Sequence, residues 1–206
     1  MQYHSLFLDS LASVLSYPAL WLPLMLLFMY VLIRNNNLQE LLWIFLFLFS
    51  TVVLANQGIY ILQSYFSPDT LSKDMVVLAL NYHREGVGIL ASLIPAAPAM
   101  GIFLALLVRH RNLTLCLVAW SILNSWTRLY LSIVSPLEWG CEFIGELLLG
   151  SLMYLLFLRL HKRVNSPHFG RIRAVRTLTG YSEADIRVIV LGHALTFLLI
   201  AFLAFL

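Results

Sequence analysis

Charge is scarce in this sequence. Of its 206 residues only 11% are Asp, Glu, Lys or Arg, while 61% are hydrophobic. Soluble domains carry about 25% charged and roughly 45–50% apolar residues, so a water-soluble fold of this length would lack the polar surface to cover itself. Cysteine is almost absent too. Cys116 and Cys141 stand in apolar segments with no zinc-ligand spacing and no CxxC redox motif, and both read as small buried hydrophobes. A basic n-region is missing at the start, where Met1-Gln2-Tyr3-His4 leads into an apolar run broken by Asp9. No cleavable leader is therefore expected, and insertion would use the transmembrane helices themselves. Repeats of fixed period and low-complexity tracts are also lacking.

What the chain does have is long apolar runs, with mean hydropathy +0.86. A bilayer core is about 30 Å thick and takes roughly 20 apolar residues to cross as a helix. Residues 3–15 bring Leu6, Phe7, Leu11, Val14 and Leu15 to one face, the pattern of a short amphipathic helix lying in the membrane interface. Spans are expected at about 17–34, 39–65, 88–108, 113–133, 139–160 and 187–206. Pro18 and Pro23 fall where the first begins, a position helices tolerate. The expected fold is an all-α integral membrane bundle, a single domain of six transmembrane helices behind an interfacial helix.

The basic residues gather in three connections. Arg34 precedes Asn35-Asn36-Asn37, Arg109-His110-Arg111-Asn112 forms a second turn, and 159–187 carries Arg159, Lys162, Arg163, Arg171, Arg173, Arg176 and Arg187. Placing all three in the cytoplasm satisfies the positive-inside rule at every crossing. The loops 66–87 and 134–138 then share the opposite side with both termini. They hold Asp69, Asp74, Glu85 and Glu138 against Lys73 and Arg84. The net charge of +3 is thus a matter of topology. No nucleic-acid readout motif interleaves the basic residues, and nucleic acid is not expected as a partner.

Ionisable groups inside spans are costly and mark places to look for function. Glu138, Glu142 and Glu146 recur at i, i+4 and i+8, which stacks them on one helical face. Arg128, across a short turn around Pro136, is the natural partner for Glu138. The stripe either closes on itself as ion pair and hydrogen bonds, or faces a polar cavity for a headgroup, proton or ion. Two Glu one turn apart could touch a divalent ion, but no His or Asp completes a set, so no metal and no cofactor is expected. His193 reads as a hydrogen-bonded bundle residue.

The stretch Thr127-Arg128-Leu129-Tyr130-Leu131-Ser132-Ile133-Val134-Ser135-Pro136-Leu137-Glu138 resembles the third motif of the type-2 phosphatidic acid phosphatases, SRxYLGVHYPxD. Arg128, Tyr130, Leu131 and Pro136 match in register. Ala91-Ser92-Leu93-Ile94-Pro95, followed by an apolar helix and Arg109-His110-Arg111, resembles the second motif, P-S-G-H, and the helix after it. Tyr60, Ser67 and Pro68 stand where the first motif places its lysine, arginine and proline. Thr179-Gly180-Tyr181-Ser182-Glu183-Ala184-Asp185-Ile186 and the final helix also resemble small bacterial members. The resemblance runs from about residue 5 to the end, with degenerate motifs, and implies a bacterial inner-membrane protein with its site loops on the non-cytoplasmic side.

That family's chemistry uses a third-motif histidine as nucleophile, an aspartate orienting it, a second-motif histidine as acid, and cations holding the phosphoryl oxygens. Here the nucleophile position is Val134 and the acid position is Pro95, while the lysine and arginine positions are Tyr60 and Ser67. Arg128 keeps its type; Thr127 and Glu138 replace serine and aspartate. The resemblance thus implies a relative without phosphatase catalysis, acting as a lipid-binding or partner-binding subunit, with a phospholipid or polyprenyl phosphate as ligand or another membrane protein as partner. An active lipid phosphatase or pyrophosphatase would need a rearranged site built from Arg128, Glu138 and His83. A third reading makes Glu138, Glu142 and Glu146 a proton or cation path.

Overall fold

A computed structural model describes residues 6–66, 94–131, 133–164 and 181–205. The stretch 67–93, with Ser67, Pro68 and His83, and the basic segment 165–180 lie outside them. The described chain is all-helical: α1 (Leu6–Leu15), a 3-10 turn (Pro18–Trp21), α2 (Leu22–Asn35), α3 (Leu38–Phe66), α4 (Ala97–Val108), α5 (Arg111–Tyr130), α6 (Pro136–Val164) and α7 (Glu183–Phe205).

Among the described residues four stretches are long and apolar enough to cross a membrane: Pro18–Asn35, Leu38–Tyr65, Pro136–Leu160 and Glu183–Phe205. At 29 residues, α3 and α6 each run about 44 Å, well beyond a bilayer core. Their outward faces, and that of α7, carry Leu42, Leu46, Phe49, Leu148, Leu195 and Phe202 in the open. Such faces suit lipid tails and would aggregate in water. Two of the six expected spans do not meet the same measure. The described part of α4 has 12 residues. α5 has 20, but Arg111, Asn112, Ser121, Asn124, Ser125, Thr127 and Arg128 interrupt its apolar character.

α4 is the centre of the packing. Ten of its 12 residues are buried, as befits a helix apolar on all sides, and it lies against α3, α5 and α6. Small residues make this approach close. A Cβ at Gly101 would overlap Ser121 of α5, and one at Gly150 of α6 would overlap the Ala99 carbonyl and the Ile102 side chain. Lipid supplies little hydrophobic drive between helices, so small residues that let backbones meet carry much of their association. Ser121 Oγ adds hydrogen bonds to the carbonyls of Ala97 and Leu117 at 3.2 and 2.8 Å. α4 ends on Arg109 in the left-handed region, φ 51°, whose N–H closes on the Ala105 carbonyl at 2.9 Å. His110 then stands at the N-cap position of α5, so the helices join through two residues.

At the same end of the bundle the asparagine turn does more than reverse the chain. Arg34 Nη1 and Asn35 Nδ2 hold the two oxygens of Asp185 at 3.0 and 2.9 Å. The Ser182 N–H donates to Asn35 Oδ1 at 3.1 Å, and Asn36 Nδ2 donates to the Tyr181 hydroxyl at 3.2 Å. Burial pushes that hydroxyl up to about 12. The α2–α3 turn therefore clasps the start of α7. At the other end, Tyr130 donates to Asp9 at 2.7 Å and Phe7 meets Phe205, ring centroids 4.7 Å apart, which fixes α1 against α5 and α7.

Cys116 is half-buried and Cys141 is exposed. The expectation that both are buried fails for Cys141, because it falls on the outward face of α6.

Gly150→Val should lower stability by about 1–3 kcal/mol through overpacking. Gly145→Val, exposed on the same helix with open space around its Cα, should leave the unfolding midpoint in detergent nearly unchanged. Equal losses in both variants would remove the α4–α6 contact as the cause.

Candidate functional site

The polar residues of α5 converge on the opposite end of the bundle from the asparagine clasp. Along its last turns Ser121, Asn124, Ser125 and Thr127 are buried, held by local bonds such as Thr127 Oγ1 to the Asn124 carbonyl at 2.6 Å. The same face ends in Arg128. Across the turn, the Trp139 indole donates to the Ser125 carbonyl at 3.0 Å and aligns the start of α6 with the end of α5.

Glu138, Glu142 and Glu146 are all buried, at 2%, 2% and 5% exposure. Each is engaged differently. Glu138 closes the N-terminus of α6: the Ser135 N–H donates to Glu138 Oε2, and the Glu138 N–H donates to Ser135 Oγ, both at 3.3 Å. With Pro136 as the first helical residue, Ser-Pro-Leu-Glu is a capping box. Its signature, Ser135 followed three residues later by Glu138, stands openly in the sequence.

Arg128 pairs one turn deeper than expected. Its Nη1 lies 2.7 Å from Glu142 Oε2 as an ion pair, and its Nη2 donates to Oε1 at 3.4 Å. The expected Arg128–Glu138 pair is corrected to Arg128–Glu142, because Glu138 is committed to the backbone of its own helix start. Gln63 of α3, buried at 4% exposure, hydrogen-bonds Glu142 from the third side. Sequence reasoning missed Gln63. Its only signal was a lone amide near the end of an apolar span.

Glu146 reaches the N-terminus of α4, where the Ala99 N–H donates to its carboxyl. The first backbone N–H groups of a helix have no partner within it and carry the positive end of its dipole, so this is where an anion belongs. The Gly150 contact sets the geometry, since it brings α6 onto α4 one turn beyond Glu146. Oε2 of Glu146 has no hydrogen-bond partner among the described residues.

The site therefore contains the two parts of an anion hole, a guanidinium and a helix N-terminus, and each already holds a carboxylate of α6. The other motif positions offer no chemistry beside it. Val134 is buried at 4% exposure and has no lone pair to attack with. Pro95 lies in the turn before α4 and has no proton to give. Tyr60 is 54% exposed on α3, whereas Gln63 is turned inward. His83, Ser67 and Pro68 lie outside the described residues. Among those described, no group of three His, Cys, Asp or Glu is placed to hold a metal. His193 sits elsewhere, on α7, with Nδ1 3.0 Å from the Ile189 carbonyl.

The chain is similar to the lipid A 4'-phosphatase of Bacteroides thetaiotaomicron, 25% identical over 174 residues that cover 77% of this chain and 72% of that protein. No family model matches the chain, and no solved structure matches it.

Arg128→Ala leaves Glu142 buried without its cation and should cost about 3–5 kcal/mol, while replacing both partners by apolar residues, as in Arg128→Met with Glu142→Met, should cost far less. Unfolding titrations in detergent measure both. A double variant as unstable as the single one would mean that the pair is not what Arg128 contributes.

Proposed function

We propose that this protein is a lipid-phosphatase-like membrane bundle without phosphate-releasing activity, in which Glu142 and Glu146 occupy the places a substrate phosphate would take. The observation carrying this reading is that the guanidinium of Arg128 and the N-terminus of α4 are both filled by the chain's own carboxylates. A phosphoryl group would have to displace both against like charge. Even then it would meet Val134 and Pro95 where a nucleophile and a general acid are required. The curated relative supports a phosphorylated lipid as the ancestral ligand class, a phospholipid or polyprenyl phosphate for this chain. The present site suits instead a cationic or zwitterionic headgroup, or a basic residue of a membrane partner, that competes with Arg128 for the carboxylates. In this reading α4 and α5 complete a set of six spans in a bacterial inner membrane, with the site on the non-cytoplasmic side.

A second reading, an active lipid phosphatase, is favoured by the name of that relative and would draw on Arg128, Glu138 and His83. Phosphate release separates the two. The purified protein, offered lipid A, phosphatidic acid and a polyprenyl pyrophosphate in mixed micelles, is expected to release no more phosphate than its Arg128→Ala variant. Release that is abolished by Arg128→Ala and by His83→Ala would establish the enzyme instead. The third reading, a cation path along α6, has less support, because Glu138 and Glu142 are bonded to backbone and to Arg128.

Emptying the hole should restore anion affinity. Glu142→Gln with Glu146→Gln frees the guanidinium and the α4 N-terminus, and vanadate binding is expected to strengthen about tenfold or more, since a hydrogen bond to a charged group contributes roughly 1.5–3 kcal/mol. Calorimetric titration of wild type and double variant would show the gain, or its absence.

A further inference from the structure

A cavity lies apart from the carboxylate site, at mid-depth between α2, α3, α4, α5 and α7. It has a volume of about 190 Å³, and its walls are almost wholly apolar. Trp21, Phe45 and Met100 are among the lining side chains. Two of the lining residues, Trp120 and His193, carry a buried nitrogen, the indole nitrogen and Nε2, with no hydrogen-bond partner among the described residues. Neither residue is at the surface: Trp120 is 5% exposed and His193 0%. A buried polar atom left unpaired costs about 1–3 kcal/mol, so two around one cavity call for a ligand that answers both.

The chemistry of that ligand can be read from the two atoms. The Trp120 indole is a donor only and needs an acceptor. Nδ1 of His193 faces the Ile189 carbonyl at 3.0 Å; a carbonyl only accepts, so Nδ1 carries the ring proton and Nε2 is left to accept. The ligand must therefore offer a donor and an acceptor on an otherwise apolar body, and a hydroxyl is the smallest group that is both. Size agrees with a hydrocarbon. An apolar cavity of roughly 150 Å³ stays dry and binds benzene, and this one is larger.

The way in is lateral. Met29 of α2 lines the cavity and is 46% exposed, on the face that lipid tails cover. His193 lies ten residues into α7, about 15 Å along it, half the depth of a bilayer core. We propose that this cavity binds a hydrocarbon chain bearing a hydroxyl group, entering from the membrane past Met29, with the hydroxyl donating to His193 Nε2 and accepting from the Trp120 indole. The source is a membrane lipid with a hydroxylated acyl chain or a free long-chain alcohol; the recognised chemistry is the same. The proposal is independent of the reading of the carboxylate site.

Trp21 and Trp120 line the cavity and report on its contents, because bromine on a bound chain quenches indole fluorescence on contact. The full-length protein in phosphatidylcholine nanodiscs is titrated with a bromine-tipped medium-chain alcohol and with its methyl ether, which cannot donate. Saturable quenching by the alcohol at about tenfold lower concentration than the ether is expected. His193→Phe should bring alcohol and ether to parity, and Trp120→Phe, read through Trp21, should narrow the gap. A bromine-tagged phospholipid with a hydroxylated acyl chain, compared with its unhydroxylated counterpart, assigns the source: a preference there points to a membrane lipid, and a preference confined to the free alcohol points to that class. Wild-type protein that does not distinguish alcohol from ether, as when water satisfies both nitrogens, overturns the proposal. So does a preference that survives in both variants.

Discussion

Arg128 and Glu142 meet at 2.7 Å, and their side chains are only 12% and 2% exposed. Bringing two charges out of water costs several kcal/mol per ion, and attraction repays this only when geometry and further hydrogen bonds are good. Much of the surrounding structure follows from that requirement. Gln63 supplies a bond from α3, and Trp139 ties α6 to α5 so that the two partners are held level. Glu138, one turn above, is removed from competition by its own helix start. A stack of carboxylates that would repel one another if left alone is thus divided among a capping box, an ion pair and the end of α4.

The short helix α4 makes the division workable. Because Gly150 lets α6 touch its backbone, Glu146 arrives at the Ala99 N–H instead of at lipid or at another acid. The packing that organises the bundle is also the packing that closes the anion hole. A larger residue at Gly150 would part the two helices and draw Glu146 away from Ala99, so stability and occupancy of the site rest on the same contact. The apolar cavity on the far side of α4 has a different logic, with hydrocarbon walls and two nitrogens in need of partners.

Several parts of this arrangement are legible in the amino-acid sequence for physical reasons. The apolar runs that become α3, α6 and α7 are visible because lipid demands unbroken stretches of hydrophobic side chains. The i, i+4, i+8 spacing places Glu138, Glu142 and Glu146 on one face because helical geometry is local. The choice of partner is not local. Arg128 could reach either of two carboxylates, and the sequence alone pointed to the nearer in number. The clasp of Asn35 and Asn36 on Tyr181, Ser182 and Asp185 joins positions about 150 apart, and no periodicity announces it.

The membrane class, the stripe of acids and the lack of a nucleophile or acid in the side chains of Val134 and Pro95 were determined by composition and residue type, which need no coordinates. Tertiary structure alone decided that Glu142 takes the guanidinium, that Glu146 takes the N-terminus of α4, and that Trp120 and His193 open onto one cavity. Each depends on how closely two helices approach. That distance is set where Gly101 and Gly150 meet their neighbours across the bundle, between residues far apart in the chain.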